Sequence, residues 1–254
     1  MLGINTNVPS LTAQKNLTSS SSSINTSISR LSSGLRINSA RDDAAGLAIA
    51  TRMSSEVRGS EVAKRNTNDG ISALQIADGA LASMTDGVQR MRELAVQAAT
   101  GTLTTDDRTN LLAEFDALGA QLTDIATDTK FNGVSLLTGT PANLAIQTGA
   151  NSGDTTTVNL VNGSTIATAV DGADISTAAA ATTALTTIDA QLTALNTGRA
   201  TIGAGINRLD AVVSNLDTTV TNVSAARGRI MDADFAKETA NLTRTQILQQ
   251  AGTA

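Results

Sequence analysis

The sequence predicts a mainly α protein: a long coiled-coil-like helical bundle, or rod, with a small β-hairpin excursion and paired terminal helices. Three observations predict it. Apolar residues recur in alternating steps of three and four over long stretches, which is the spacing of a helical seam. Aromatic residues make up 1% of the chain, three Phe with no Trp or Tyr, so burial rests on Leu, Ile, Val, Met and Ala, which suit close helix–helix packing. One stretch in the middle is instead rich in Thr, Asn and Gly.

The amino-terminal piece carries Leu17, Ile24, Ile28, Leu31 and Leu35 at seam spacing, but Ser19 to Ser23 is a run of five serines. Such a helix is marginal in water and needs a partner. RLSSGLRINSARDDAAGLAIA, residues 30 to 50, then breaks the pattern with Ser-Ser-Gly and three adjacent charges. From Leu74 the seam is regular: Leu74, Ala77, Leu81, Met84, Val88, Met91, Ala95 and Ala98. Leu94 and Val96 lie beside it and broaden the stripe. In GTLTTDDR, Thr104 or Thr105 before Asp106 and Asp107 predicts a helix start, a hydroxyl cap followed by acids at the positive end of the dipole. Leu111, Phe115, Leu118, Leu122 and Ile125 continue that helix, and the short link implies an antiparallel hairpin of helices.

The middle alternates as strands do, at Leu144, Ile146, Val158 and Leu160, and Asn162-Gly163 is a hairpin-turn signal. The reading is a small β excursion, with a structureless loop as the alternative. Both prolines, Pro9 and Pro141, fall outside the long seams. The longest seam comes next, Leu185, Ile188, Leu192, Leu195, Arg199, Ile202, Ile206, Leu209, Val213, Leu216, Val220 and Val223. Arg199 is its only polar member; it either sets register or snorkels along its stem. Gly198, Gly203 and Gly205 weaken the helix locally and allow a bend. The last piece, with Phe235, Leu242, Ile247 and Leu248, is again marginal alone, so the two ends are expected to order each other or to be ordered by assembly.

Composition narrows the function classes. There is no His and no Cys, which removes a serine triad, a cysteine nucleophile and a structural zinc; no catalytic residue, cofactor or metal site is assigned. The net charge is −5, yet residues 1 to 41 hold Lys15, Arg30, Arg36 and Arg41 and no acid before Asp42. Four cations spread that thinly, without aromatics, make a poor nucleic-acid stripe. No 18-residue apolar run predicts membrane insertion, and MLGINTNVPSLTAQKN has no conventional signal-peptide pattern. Composition alone points to the cytoplasm.

Several blocks resemble bacterial flagellin: MLGINTNVPSLTAQKNL, RLSSGLRINSARDDAAGLAIATRM, NTNDGISALQIADGAL, VQRMRELAVQAA, FNGVSLLTG and ARGRIMDADFAKETANLTRTQILQQAGTA. They cover most of residues 1 to 139 and about 182 to 254. The resemblance implies a structural subunit of the flagellar filament, passed unfolded through the flagellar export channel without a cleaved signal and polymerised outside the cell. This replaces the cytoplasmic reading. It implies terminal segments that are disordered in the monomer and form inner-tube helices in the filament. It also implies a rod of two amino-terminal helices, a β-hairpin and one long carboxy-terminal helix. The expected division is 1–40 for the amino-terminal inner-tube helix, 41–139 and 181–232 for the rod, 140–180 for a short segment replacing outer domains, and 233–254 for an incomplete carboxy-terminal inner-tube helix. The family's carboxy terminus usually runs further than Ala254, so the sequence is expected to be cut short there or to leave out a disordered tail. With no outer domains, the filament is expected to be thin and smooth.

The partners implied are further copies of the chain, the flagellar cap and junction proteins, an export chaperone and a vertebrate Toll-like receptor. By resemblance the receptor reads Gln89, Arg90, Leu94 and Glu114. Subunit contacts are expected at Ile24, Ile28, Leu31, Leu35, Arg41, Asp42, Asp43, Phe235 and Leu242. The other readings are a hook–filament junction protein, which shares the helical ends, and a coiled-coil binding module that does not polymerise. A metallopeptidase insert, carried by some flagellins, needs His ligands that this chain lacks.

Overall fold

The computed structural model describes residues 7–139 and 143–253, so most of the MLGINTN start, Pro141 and Ala254 lie outside the described residues. Among the described residues there are six helices and two small strand pairs. In chain order they are α1 (Val8–Ser33), α2 (Ala44–Ala98), α3 (Thr105–Asp128), β1 (Lys130–Phe131), β2 (Val134–Ser135), β3 (Asn143–Gln147), β4 (Thr155–Asn159), α4 (Gly163–Asp171), α5 (Ala178–Met231) and α6 (Phe235–Thr253). Contacts divide the chain into two compact units, Met1–Arg58 with Thr218–Ala254, and Gly59–Asp217. The helices α2 and α5 each begin in one unit and end in the other.

The second unit holds the main core. All eight residues of the α2 seam, Leu74 to Ala98, are at 0% exposure. The ion pairs Lys64–Asp217 (2.6 Å), Arg199–Asp78 (2.9 Å) and Arg92–Asp189 (2.6 Å) advance along α2 while retreating along α5, so these two helices run antiparallel. The start of α3 is as the sequence predicts: Thr104 is the N-cap, its side chain accepts from the Asp107 amide, and Asp107 Oδ2 accepts in return from the Thr104 amide at 3.0 Å, a reciprocal capping box. Arg108 fastens the turn between α2 and α3. Its guanidinium donates to the carbonyls of Ala98 (2.9 Å), Thr100 (2.7 Å) and Leu103 (3.0 Å), filling acceptors left open where α2 ends. Phe115, Gly119, Leu122 and Ala126 are the buried face of α3.

The α5 seam differs from its prediction at three of its alternate positions. Ile188, Leu195, Ile202, Leu209 and Leu216 are buried as expected, but the alternate buried residues are Ala184, Gly198 and Gly205, with Ala181 one turn earlier. They are not Leu185, Arg199 and Ile206. The reason is close approach. A Cβ on Gly198 would lie 2.7 Å from Val161 Cγ1, and one on Gly205 2.9 Å from Val158 Cγ1. The glycines let β4 and the segment after it settle onto α5; they do not interrupt the helix, which is continuous from Ala178 to Met231.

The β excursion forms with Leu144 opposite Val158 and Ile146 opposite Thr156. Its turn is not Asn162-Gly163. Asn162 instead caps a short helix, α4, by accepting from the Thr165 amide at 3.1 Å. The tight Asn-Gly turn of this chain is Asn132-Gly133, with φ of 49° and 80°, which joins β1 to β2. Both central residues sit at positive φ, as a two-residue type I′ hairpin requires. The helix α4 buries Ile166, Ala167 and Val170 against α3 and the main core.

Candidate functional site

Within the first unit, α1 and α6 pack side by side. An Asn7 cap on the Ser10 amide (3.1 Å) and Pro9 in the first turn begin α1. It ends at Ser33, where Gly34 turns the chain at φ 71°. Asp234 caps α6 through the amides of Ala236 (3.0 Å) and Lys237 (3.1 Å). Between these ends the chain is clipped to itself. Leu35 forms a β-bridge with Asp232, the Arg36 amide donates to the Met231 carbonyl at 2.6 Å, and the Ala233 amide donates to the Gly34 carbonyl at 3.0 Å. The Arg36 guanidinium donates to the Ile230 carbonyl at 2.6 Å, where cations favour the end of a helix.

The seam of the helix pair is polar. Ser27 is buried and donates to Glu238 Oε1 at 3.0 Å; Glu238 is itself only 8% exposed and lies 3.6 Å from Arg30. Ile24, Leu31 and Leu242 are half-buried beside this cluster. Ile28, predicted to be in the seam, is 49% exposed; Ser27 takes the inward position, where it donates to Glu238 on the facing helix. Phe235 is 55% exposed, and Val8, Leu11, Ile247 and Leu248 are more exposed still. Six large apolar residues of this pair thus face outward while Ser27 and Glu238 face inward.

The charges of residues 41 to 43 have separate local tasks. Asp42 accepts from the amides of Asn38 (3.1 Å) and Ser39 (2.9 Å) and from the Ser39 hydroxyl (3.0 Å). The Asn38 amide bond, followed by those to Ser39, holds the Asp42 carboxyl below the usual carboxylate value. Asp43 caps α2 by accepting from the Gly46 amide at 2.8 Å. The Arg41 side chain is exposed and makes no hydrogen bond or ion pair among the described residues. Leu35 is half-buried at the clip.

In the second unit, Arg90 reaches Glu114 on α3 through Nε (3.0 Å) and Nη2 (2.8 Å), and Glu93 on its own helix through Nη1 (2.8 Å). Gln89 is exposed next to it. Leu94 is 1% exposed and belongs to the core, which corrects its sequence assignment. Val96, read as broadening the same stripe, is instead 50% exposed, so of the two only Leu94 widens the buried face, and its side chain is not part of this surface. The Ser27–Glu238–Arg30 cluster was missed at the sequence level. A lone acid in the first turn of α6 was its only sign, and its partners become evident only once the two helices are placed together.

No helix among the described residues is long and apolar enough to cross a membrane, and no group of three or more acidic residues among them could hold a metal ion.

Comparison with known proteins fits this architecture. Residues 4–142 match the model of the bacterial flagellin N-terminal helical region, and residues 185–254 that of the C-terminal helical region. A flagellin of Halalkalibacterium halodurans is 43% identical over 253 residues, covering 99% of this chain and 93% of its own. A Listeria monocytogenes flagellin is 38% identical, covering 97% and 92%. The alignment with Vibrio cholerae flagellin A, 33% identical over 100% of this chain and 95% of the other, spans 360 positions against 254 residues here, so that relative carries segments this chain lacks. Among solved structures, Bacillus cereus flagellin aligns with a TM-score of 0.54 at 36% identity, over 64% of this chain and 94% of that one. A putative flagellar hook-associated protein of Vibrio parahaemolyticus aligns with a TM-score of 0.63 at 17% identity, over 75% and 100%. That is a likeness of fold alone.

Proposed function

This chain belongs to the bacterial flagellin family and is a structural subunit of the flagellar filament, and from that premise we propose that it joins its neighbours through the outward faces of α1 and α6. It is not an enzyme; it polymerises with copies of itself into the extracellular filament. The observation that carries the assembly reading is the inverted pattern of the helix pair, whose polar seam leaves Val8, Leu11, Ile28, Phe235, Ile247 and Leu248 at 49–63% exposure. Six of the eleven exposed large apolar residues among the described ones lie on these two helices, and such a concentration supports an interaction site. In this reading, residues 1–40 and 233–254 line the inner tube, 41–139 and 181–232 form the rod, and 140–180 stand where relatives carry more chain. Arg41, exposed and without a partner among the described residues, is left for a neighbouring subunit.

Electron microscopy of the purified protein seeded with filament fragments tests this reading. The unaltered chain is expected to extend the seeds into regular tubes. Replacing Ile247 and Leu248 together with Ser should abolish elongation while leaving the α2–α3–α5 core folded by circular dichroism. Elongation at an unchanged rate would overturn the assignment of that face.

The finer partners belong to the same proposal: the cap and junction proteins at the filament ends, a chaperone holding the unfolded chain before export, and export without a cleaved signal. A vertebrate Toll-like receptor would read Gln89, Arg90 and Glu114, which stand together on the exposed side of α2 and α3. Arg is a frequent interface anchor. An Arg90→Ala monomer that signals as strongly as the unaltered one would remove this receptor site.

A further inference from the structure

We propose that Asn132 is a site of spontaneous covalent modification, deamidation through a cyclic imide, and that the fold protects Asn162, which stands in the same dipeptide. The sequence holds two Asn-Gly pairs, 132–133 and 162–163. Asparagine is a labile residue, most of all before glycine, which has no side chain to shield its own amide nitrogen. The structure separates the two pairs. Asn162 is held at both ends of its side-chain amide: Oδ1 accepts from the Thr165 amide at 3.1 Å and Nδ2 donates to the Gly139 carbonyl at 2.7 Å. Gly163 is buried, and a Cβ on it would lie 3.2 Å from both Leu137 Cβ and Met84 Sδ. Packing this close leaves its backbone no room to swing toward the side chain.

Asn132 and Gly133 are both exposed, and the Asn132 side chain makes no hydrogen bond or ion pair among the described residues. Nothing lies within 4 Å of a Cβ placed on Gly133. The turn holds Asn132 at φ 49°, and ring closure proceeds when that turn opens. Opening is local, because the strands on either side pair only Phe131 with Val134 and Lys130 with Ser135. So short a hairpin opens at small cost. In the open state the Gly133 nitrogen gives up its proton to solvent and attacks Asn132 Cγ. The bond from Cγ to Nδ2 breaks, and that nitrogen takes up a proton and leaves as ammonia. Water then opens the five-membered imide. Cleavage between Cγ and the Gly133 nitrogen gives aspartate; cleavage at the main-chain carbonyl gives isoaspartate, whose backbone runs on through the former side chain. One water is consumed and one ammonia released, with no oxidation or reduction. Either product adds a negative charge to a chain of net charge −5. Aspartate tolerates the positive φ of the turn as asparagine does, whereas isoaspartate adds a methylene to the backbone and breaks the turn. In an extracellular filament the product accumulates with the age of the subunit.

The test compares the full chain, folded and soluble, with the same chain held unfolded in guanidinium chloride at the same pH and temperature. Peptides are read at intervals by tandem mass spectrometry, so that each asparagine is followed separately. In the unfolded chain the two pairs should react at similar rates. In the folded chain Asn162 should fall behind Asn132 by at least roughly tenfold, since two hydrogen bonds must break before it can react. The folded, aged chain should accept methyl groups from labelled S-adenosylmethionine and an isoaspartyl methyltransferase, with the label on the peptide containing residue 132. Amide exchange at Val134 should be faster in that isoaspartyl form and unchanged in Asn132→Asp, which adds the charge without rerouting the backbone. Equal rates at the two pairs in the folded chain would overturn the proposal. So would an Asn132 that reacts only in the unfolded chain, because the hairpin tip would then be closed as firmly as the cap at Asn162.

Discussion

Arg199 on α5 donates to Asp78 on α2 at 2.9 Å, with both side chains more than a third exposed. The arginine therefore stands at the flank of the seam, and its neighbour Gly198 takes the inward position. An arginine buried among apolar residues would fix register at a large cost in stability; an exposed pair does not. Arg199→Ala is expected to cost less than about 1 kcal/mol, with a coupling to Asp78→Ala of roughly 0.2–1 kcal/mol that shrinks in high salt. A double-mutant cycle by thermal unfolding measures it. A loss of about 3 kcal/mol or more would instead mean that the pair acts as a buried one.

The glycines beside it give the opposite expectation. Gly198→Ala puts a methyl group 2.7 Å from Val161 Cγ1, and overpacking of that kind costs about 1–3 kcal/mol against a helix-propensity gain of at most about 1 kcal/mol. The variant should be destabilised. Gly203→Ala is the control, since nothing lies within 4 Å of the added atom, and it should be stabilised by up to about 1 kcal/mol. Thermal unfolding by circular dichroism separates the two, and equal shifts of the same sign would contradict the close approach of the strand segment to α5.

These two positions also show where the sequence was legible. The seam of α2 was readable residue by residue, because Leu74, Leu81, Met84, Val88 and Met91 set the spacing and the alanines between and after them fall in step. On α5 the buried row alternates large residues with Ala and Gly, and small residues carry little hydrophobic signal even when close packing depends on them. The Asn162-Gly163 pair misled for a related reason. The same dipeptide makes a type I′ turn at Asn132-Gly133 and a helix cap at Asn162-Gly163. The packing around each pair decides between the two, and a local motif does not contain that information. Of the apolar residues named for assembly, only Ile28 and Phe235 lie outward, and the inward Ser27–Glu238–Arg30 cluster could not be named at all. Glu238 lies far along the chain from the other two, and none of the three is unusual alone.

The capping box of α3 predicts a response to acid. The Thr104 hydroxyl, and after it the Thr104 amide, hold the Asp107 carboxyl below its ordinary value of 3.8. A carboxylate lowered on folding adds stability that is fully present above the unfolded value and is lost as pH falls through the lower native one. Asp107→Asn, which imitates the protonated group, should therefore be less stable than the unaltered chain at neutral pH. The difference should close as the solution is acidified below about pH 3.8. Unfolding midpoints measured across that range decide the matter; a gap that stays constant into acid would show that the charge of Asp107 contributes nothing to the cap.

Leu94 and Arg90 should part company when each is shortened to Ala. Leu94 is 1% exposed within the core, whereas the Arg90 side chain is 50% exposed on the ion pairs with Glu93 and Glu114. Removing a buried leucine leaves a cavity and costs about 2–5 kcal/mol; removing an exposed arginine costs far less, since its ion pairs are screened by solvent. Leu94→Ala should lower the thermal midpoint clearly, and Arg90→Ala should barely move it. Any loss of receptor signalling in Leu94→Ala then comes from a loosened α2–α3 surface. Loss in Arg90→Ala, at an unchanged midpoint, would support the proposed receptor contact. A Leu94→Ala chain as stable as the original would place that side chain outside the core and return it to the candidate surface.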